Sequence, residues 1–190
     1  MGGLHVLQEK TNVTNFTKNN HCRGAAAVHA LSSELLLLGY NVAFPHLDRS
    51  SGDDLISICP RTKRATRIQV RSRHVTLLNG RPTTKSATIK IPQSLVTSEG
   101  TADVVCIAIR LAEAGSWHLG LLGRKVIGSL SLAGKGSLIK KAKYASEGTI
   151  DYRFHLQVED GRLKSFSLAG SDVTSAFHPE RTEWLPLLSR

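Results

Sequence analysis

Acidic residues are missing from two long stretches of this chain. None occurs between Leu55 and Ser98, where Arg61, Lys63, Arg64, Arg67, Arg71, Arg73, Arg81, Lys85 and Lys90 stand. None occurs between Ala114 and Ser146 either, where Arg124, Lys125, Lys135, Lys140, Lys141 and Lys143 stand. Segments of one sign this long favour a continuous basic surface over scattered solubilising charge. With a net charge of +10, that surface suits an anionic partner, nucleic acid first and an anionic membrane second. The membrane has little support, since no apolar run approaches the ~20 residues of a span. MGGLHV also lacks the Ser or Thr at its sixth position that the acylation pattern needs, and MGGLHVLQEK lacks the apolar core of a signal peptide. Cysteines are few and far apart, with no CxxC pair, which argues against a zinc site or a disulfide framework. Cys59 and Cys106, inside SICP and VVCIAI, read as buried thiols of a cytoplasmic protein. Aromatics make up only 5% of the chain, so aliphatic side chains must carry the core.

Other signatures are absent as well. His21, His29, His46, His74 and His118 show no HxxxH spacing. There is no GxSxG elbow, and Gly134–Lys135–Gly136–Ser137 lacks the spacing of a phosphate-binding loop. What is present is enough for one domain. A chain of 190 residues with 41% apolar content can bury a real core, with residues 1 to 20 an irregular, polar lead-in and residues 21 to 190 a single unit. The stretch CRGAAAVHALSSELLLL, residues 22 to 38, predicts a helix whose buried face holds Ala27, Val28, Leu31, Leu35 and Leu38, ended by Gly39. Short strands follow at NVAFP (41 to 45), DLISICP (54 to 60) and RIQVRS (67 to 72). In the last of these, Ile68 and Val70 alternate with Gln69 and Arg71. SATIKIP reads as a further strand, and IPQSLVTSEG as a short helix. ADVVCIAIRLAE (102 to 113) is apolar on both faces and so reads as a central strand, with SWHLGLLG (116 to 123) beside it. YRFHLQVEDGRLKSFSL (152 to 168) reads as a hairpin across Asp160–Gly161, and Trp184 and Leu187 as a cap. The mixed stretch 124 to 148 gives no clear element.

The order helix, strand, strand, strand, with Asp54 opening the second strand and Gln69 and Arg71 on one face of the third, carries chemistry in its pattern. An acid and an amide on adjacent strands can offer oxygen ligands to Mg²⁺, and a nearby cation can offset charge on phosphorus. In this order the segment Gly24 to Arg73 resembles the PD-(D/E)XK nuclease superfamily. It looks most like the branch whose third motif reads Gln-x-Lys, the IQVK-type proteins related to homing endonucleases and Holliday junction resolvases. The resemblance implies an α/β fold with a mixed central β-sheet flanked by helices, a restriction-endonuclease-like core. It implies Asp54 as the metal-binding acid, with Asp53 as its fallback, Gln69 at the position usually held by Asp or Glu, and Arg71 at that of the catalytic Lys. The activity implied is hydrolysis of DNA phosphodiesters with Mg²⁺ or Mn²⁺.

The motif departs from the family in ways that matter chemically. Gln69 offers a neutral oxygen, and the guanidinium of Arg71 stays protonated, so it can clamp a phosphate but cannot serve as a base. The first helix carries Ala25, Ala26, Ala27 and Val28 where the family often has a Glu, and Glu34 lies near its end. Two readings therefore stand side by side, a metal-dependent endonuclease and an inactive relative that binds nucleic acid or another acidic partner. In both, Arg61, Lys63, Arg64, Arg67 and Arg73 are expected on the DNA-facing surface. A homodimer is expected for the endonuclease, because cutting both strands or resolving a junction needs two active sites. Taken singly, Asp54, Gln69 and Arg71 are unremarkable strand residues; their joint order and spacing lift them.

Overall fold

The computed structural model describes residues 20–45, 54–78, 81–82, 87–92, 102–111, 115–130, 137–140, 149–160, 162–177, 180 and 183–189. The expected lead-in before residue 20 and Asp53 lie outside them; of the helix expected at IPQSLVTSEG, Ile91 and Pro92 instead belong to a strand and the rest lies outside the described residues. The first half holds α1 (Asn20–Leu37), β1 (Asn41–Ala43), β2 (Leu55–Ile58), β3 (Ala65–Val75), β4 (Leu77–Leu78), β5 (Arg81–Pro82) and β6 (Ala87–Pro92). The second holds β7 (Val104–Leu111), β8 (Trp117–Gly123), α2 (Arg124–Leu130), β9 (Ser137–Lys140), β10 (Thr149–Glu159), β11 (Arg162–Leu168), β12 (Ser171–Asp172), a 3-10 turn (Thr174–Phe177) and α3 (Trp184–Leu188). No described helix is long and apolar enough to cross a membrane.

The central sheet is mixed, in the order β1-β2-β3-β7-β8. β3 runs antiparallel to β2 and parallel to β7, with Ile68 opposite both Leu55 and Val104. It is longer than the sequence pattern predicts. Ala65 and Thr66 extend it by pairing with Ile58 and Ser57, and Arg73 to Val75 extend it by pairing with Ile109 to Leu111. α1 lays Ala27, Leu31 and Leu35, each fully buried, on one face of this sheet, against Leu55, Ile68, Val70, Val104, Cys106 and Ala108. Their i, i+4 spacing makes one stripe of the helix. The helix ends in a Schellman motif: Gly39 adopts φ +83°, and the N–H of Tyr40 donates to Leu35 O at 3.0 Å.

A second, antiparallel sheet, β12-β11-β10-β6 with β9 on β10, covers the opposite face. Its Ile89, Ile91, Tyr152, Phe154 and Phe166 pack on Val105, Ile107, Ile109 and Leu111, and α2 adds Ile127 and Leu130 to this second core. The helices therefore flank the mixed sheet as expected, while the second sheet is an addition. It follows from β7 being apolar on both faces: each face needs a partner layer. The hairpin expected across Asp160–Gly161 is present as β10 and β11, with Glu159 opposite Arg162.

The C-terminal segment wraps the β8 edge. Phe177 joins the core on the second-sheet side, where its ring fills the space above Gly120. A Cβ on Gly120 would sit 2.6 Å from that ring. Trp184, 1% exposed, joins the core on the α1 side, and its indole N–H donates to Ala176 O at 3.0 Å. A strand edge that would otherwise invite pairing with another chain is thus covered.

Candidate active site

β2 begins one residue after Asp54, and the irregularity at this point places the acid. The N–H of Asp54 donates to Ile68 O at 3.0 Å, and the N–H of Val70 donates to Asp54 Oδ2 at 2.7 Å. Backbone N–H groups of a strand lie in the plane of its sheet. The carboxylate therefore sits at the β2 side of β3, where the backbone of a longer β2 would have offered a carbonyl. An ionised carboxylate makes this a charge-assisted bond of the stronger kind. Asp54 is half-buried. Its charge reaches Cys106, whose thiol is pushed up by burial first and by Asp54 second.

Gln69 and Arg71 flank Val70 in the chain and alternate to the face of β3 opposite α1, the same face as Arg67 and Arg73. The side chains of this row are ~6.6 Å apart along the strand. Gln69 is 3% exposed, and its Oε1 is buried with no hydrogen-bond partner among the described residues. An isolated strand Gln is solvent-facing by default, so burial here is informative. A buried oxygen left without a donor costs about 1–3 kcal/mol and calls for an explanation such as a bound ion or water. Arg71 is half-buried beside it on β3.

The other expected residues divide into two groups. Arg61, Lys63 and Arg64 are exposed in the β2–β3 turn, closed by the N–H of Cys59 on Arg64 O and the N–H of Lys63 on Cys59 O, both at 2.9 Å. Lys63 takes φ +58°. This turn lies roughly 20 Å along β3 from Val70, at about 3.3 Å per residue. Arg67 and Arg73 stand nearer and are exposed, but each is engaged. Arg67 Nε lies 3.6 Å from Asp103 Oδ2, which also accepts the Arg67 N–H at 3.0 Å. Arg73 Nε donates to Thr88 O at 2.7 Å. Asp103, which the sequence did not single out, is thus the acid that meets β3 from the β7 side, as Asp54 does from the β2 side. Glu34 does not join the group. The end of α1 feeds β1 opposite Ile58, and Asp54 lies at the other end of β2. The buried α1 stripe, Ala27, Leu31 and Leu35, packs on the opposite face of the sheet from Gln69 and Arg71.

Comparisons with known proteins are sparse. No family model matches the chain, and no curated protein matches it in sequence. Among solved structures it is similar to a bacterial homing endonuclease, I-Ssp6803I, at 15% identity over 88% of this chain and 97% of that one, with a TM-score of 0.48. An overlap that loose transfers no residue roles from one chain to the other.

The described residues contain no group of three or more His, Cys, Asp or Glu side chains that would hold a metal ion. Among the described residues, the half-buried histidines stand apart on opposite faces: His74 on the α1 side, His118 toward the second sheet. His74 is held below its ordinary value by burial, then by Arg23 and Arg110, and His118 by burial alone. A histidine depressed in the fold stays neutral where the unfolded chain takes up a proton. Its stability contribution is therefore complete above about pH 6.5 and lost as pH falls through that value. Urea midpoints should drop between about pH 7.5 and about pH 5.5, and the drop should shrink in a His74→Gln, His118→Gln double variant.

Proposed function

We propose that the chain is a nucleic-acid-binding protein of the PD-(D/E)XK endonuclease type that hydrolyses DNA phosphodiesters with a divalent metal. The observation that carries this is the Asp54 carboxylate fixed on the N–H of Val70, the residue between Gln69 and Arg71 in β3, with the Gln69 Oε1 buried and without a hydrogen-bond partner among the described residues. Mg²⁺ keeps several waters and is commonly bound through one or two carboxylates. Asp54 with Gln69 Oε1 fits such a weakly held ion, and a cation at Gln69 would explain its orphaned oxygen. When bound, the ion supplies Lewis-acid polarisation of a phosphoryl oxygen. Asp54 is fixed before substrate arrives, because its backbone and one carboxylate oxygen are already tied to β3. Arg71 holds and neutralises a phosphate and moves no proton.

The basic side chains position the strand. Arg61, Lys63, Arg64 and Arg73 would neutralise backbone phosphates, and Arg67 would do so at the expense of its pairing with Asp103. Affinity should then fall with salt at a logarithmic slope between about −3.5 and −5.5. A second reading is favoured by one observation: among the described residues no group of three or more His, Cys, Asp or Glu side chains gathers to hold a metal ion. In that reading the scaffold binds DNA without cutting it. Supercoiled plasmid with Mg²⁺ or Mn²⁺, beside a salt titration of duplex binding and calorimetry of Mn²⁺ alone, separates the two. Cleavage and Mn²⁺ binding support the enzyme. Salt-sensitive binding without either assigns the binder, and no binding at low salt overturns both.

A further inference from the structure

The stripe that α1 presents to the sheet continues past Ala27 to Arg23, one turn nearer its start. The core pattern calls for an apolar residue there. Instead the guanidinium Nε of Arg23 is buried without a hydrogen-bond partner among the described residues. Below it, on the same face of the sheet, a row runs across three strands: His74 on β3 opposite Arg110 on β7, and Arg110 opposite Trp117 on β8. All four side chains are half-buried. The His74 ring meets the Trp117 ring edge-on at 5.5 Å, and the Arg110 guanidinium lies 5.8 Å from the Trp117 centroid. His74 Nε2 is likewise buried and unpartnered among the described residues. The charges that reach His74, from Arg23 and Arg110, are both positive.

Two guanidinium groups and an imidazole are thus gathered at the rim of a core without a described carboxylate. Partly buried like charges with unmade hydrogen bonds are costly unless something anionic completes them. Arginine's fork of N–H donors matches a phosphate. The ring of Trp117 holds both Arg110 and His74 in place through its face and edge, so little side-chain freedom is left to lose on binding. From this arrangement we infer that Arg23, His74 and Arg110 form a phosphate-binding pocket on the α1 face of the sheet, buttressed by Trp117. It is separate from the Asp54–Gln69–Arg71 group on the other side and does not depend on that group being catalytic. The phosphate is either that of a small ligand or a backbone phosphate of a nucleic-acid strand.

The test uses the full chain. Inorganic phosphate is titrated against sodium chloride of equal ionic strength, with thermal midpoint, tryptophan emission and the His74 imidazole resonance as readouts. Phosphate should raise the midpoint beyond the chloride control, change the emission and move the His74 titration to higher pH. Arg110→Gln and Arg23→Gln should each weaken the apparent affinity about tenfold or more, Trp117→Phe should remove the emission change, and Asp54→Ala should leave all three readouts in place. A short oligonucleotide acting at concentrations at least tenfold below inorganic phosphate, and losing that advantage in Arg110→Gln, identifies the strand as the source. Equal potency identifies a small phosphate ligand. If phosphate matches chloride, or if its effects persist in both arginine variants, the pocket does not exist. The Arg110→Gln and Arg23→Gln changes keep a polar side chain, and a wild-type-like far-ultraviolet spectrum separates lost binding from lost fold. Should either variant misfold, the His74 resonance of the wild-type chain decides alone: a titration unmoved by phosphate overturns the inference.

Discussion

Asp54→Ala should abolish metal-dependent plasmid relaxation, by about 100-fold or more, while duplex affinity stays within about twofold. The acid is fixed on the N–H of Val70, between Gln69 and Arg71 in the chain, and Arg71 cannot supply its charge or act as a base. The same side chain also has a structural duty, as the acceptor for the Val70 N–H. Its removal leaves that donor unpaired, at a cost of about 1–3 kcal/mol. Asp54→Asn separates the roles. It keeps an oxygen for Val70 and so keeps most of the stability, but it removes the negative charge that would hold the ion. Cleavage and Mn²⁺ binding should therefore fail in both variants, and the unfolding midpoint only in the first. If Asp54→Asn cuts plasmid as well as the unaltered chain, the acid has no part in the reaction. Gln69→Glu runs the other way. It places a carboxylate where the amide is 3% exposed, which should raise Mn²⁺ affinity by about tenfold and lower stability without metal, because a buried charge needs a partner.

The parts of this fold legible from the sequence were those with one dominant physical cause. Ala27, Leu31 and Leu35 repeat at helical spacing, and Gly39 ends the helix because the left-handed conformation there suits a residue without a Cβ. The apolar run from Val104 to Leu111 marked a central strand, because only a strand covered on both faces tolerates it. The same run implied a layer on each face, yet the second sheet went unread. Its strands are individually short or polar on the outside, and their pairing joins β6 to β10 across a long stretch of chain. The candidate site was legible as a pattern of residue types but not as geometry. Alternation placed Gln69 and Arg71 on one face, but it could not tell that the face is covered, so the burial of Gln69 was invisible. The ties of Arg67 to Asp103 and Arg73 to Thr88 could not be read either, since they depend on β7 and β6 arriving beside β3. Nor could the row His74–Arg110–Trp117, whose members meet only through strand register.

Trp184→Ala should be the most destabilising single change in the C-terminal segment, by about 3–5 kcal/mol. Total stabilities of domains this size run to about 5–15 kcal/mol, so the variant should lose much of its margin. The reason lies in where the ring sits. Trp184 fills the α1-side core at 1% exposure, while its indole N–H reaches Ala176, whose neighbour Phe177 packs on Gly120 from the opposite side of β8. One side chain therefore fastens the segment that wraps the sheet edge to both cores. Truncation leaves a cavity and frees that segment, which uncovers the β8 backbone to pairing with other chains. Two measurements follow, a lowered urea midpoint and concentration-dependent aggregation on warming. Trp184→Phe keeps an aromatic body but loses the donor, and should cost about 1–2 kcal/mol with little aggregation. Because Asp54 and Gln69 lie beside β2 and β3, away from β8, Mn²⁺ binding should survive in Trp184→Phe at temperatures where the fold holds. If Trp184→Ala unfolds at the same urea concentration as the unaltered chain, the C-terminal wrap contributes nothing to holding the layers together.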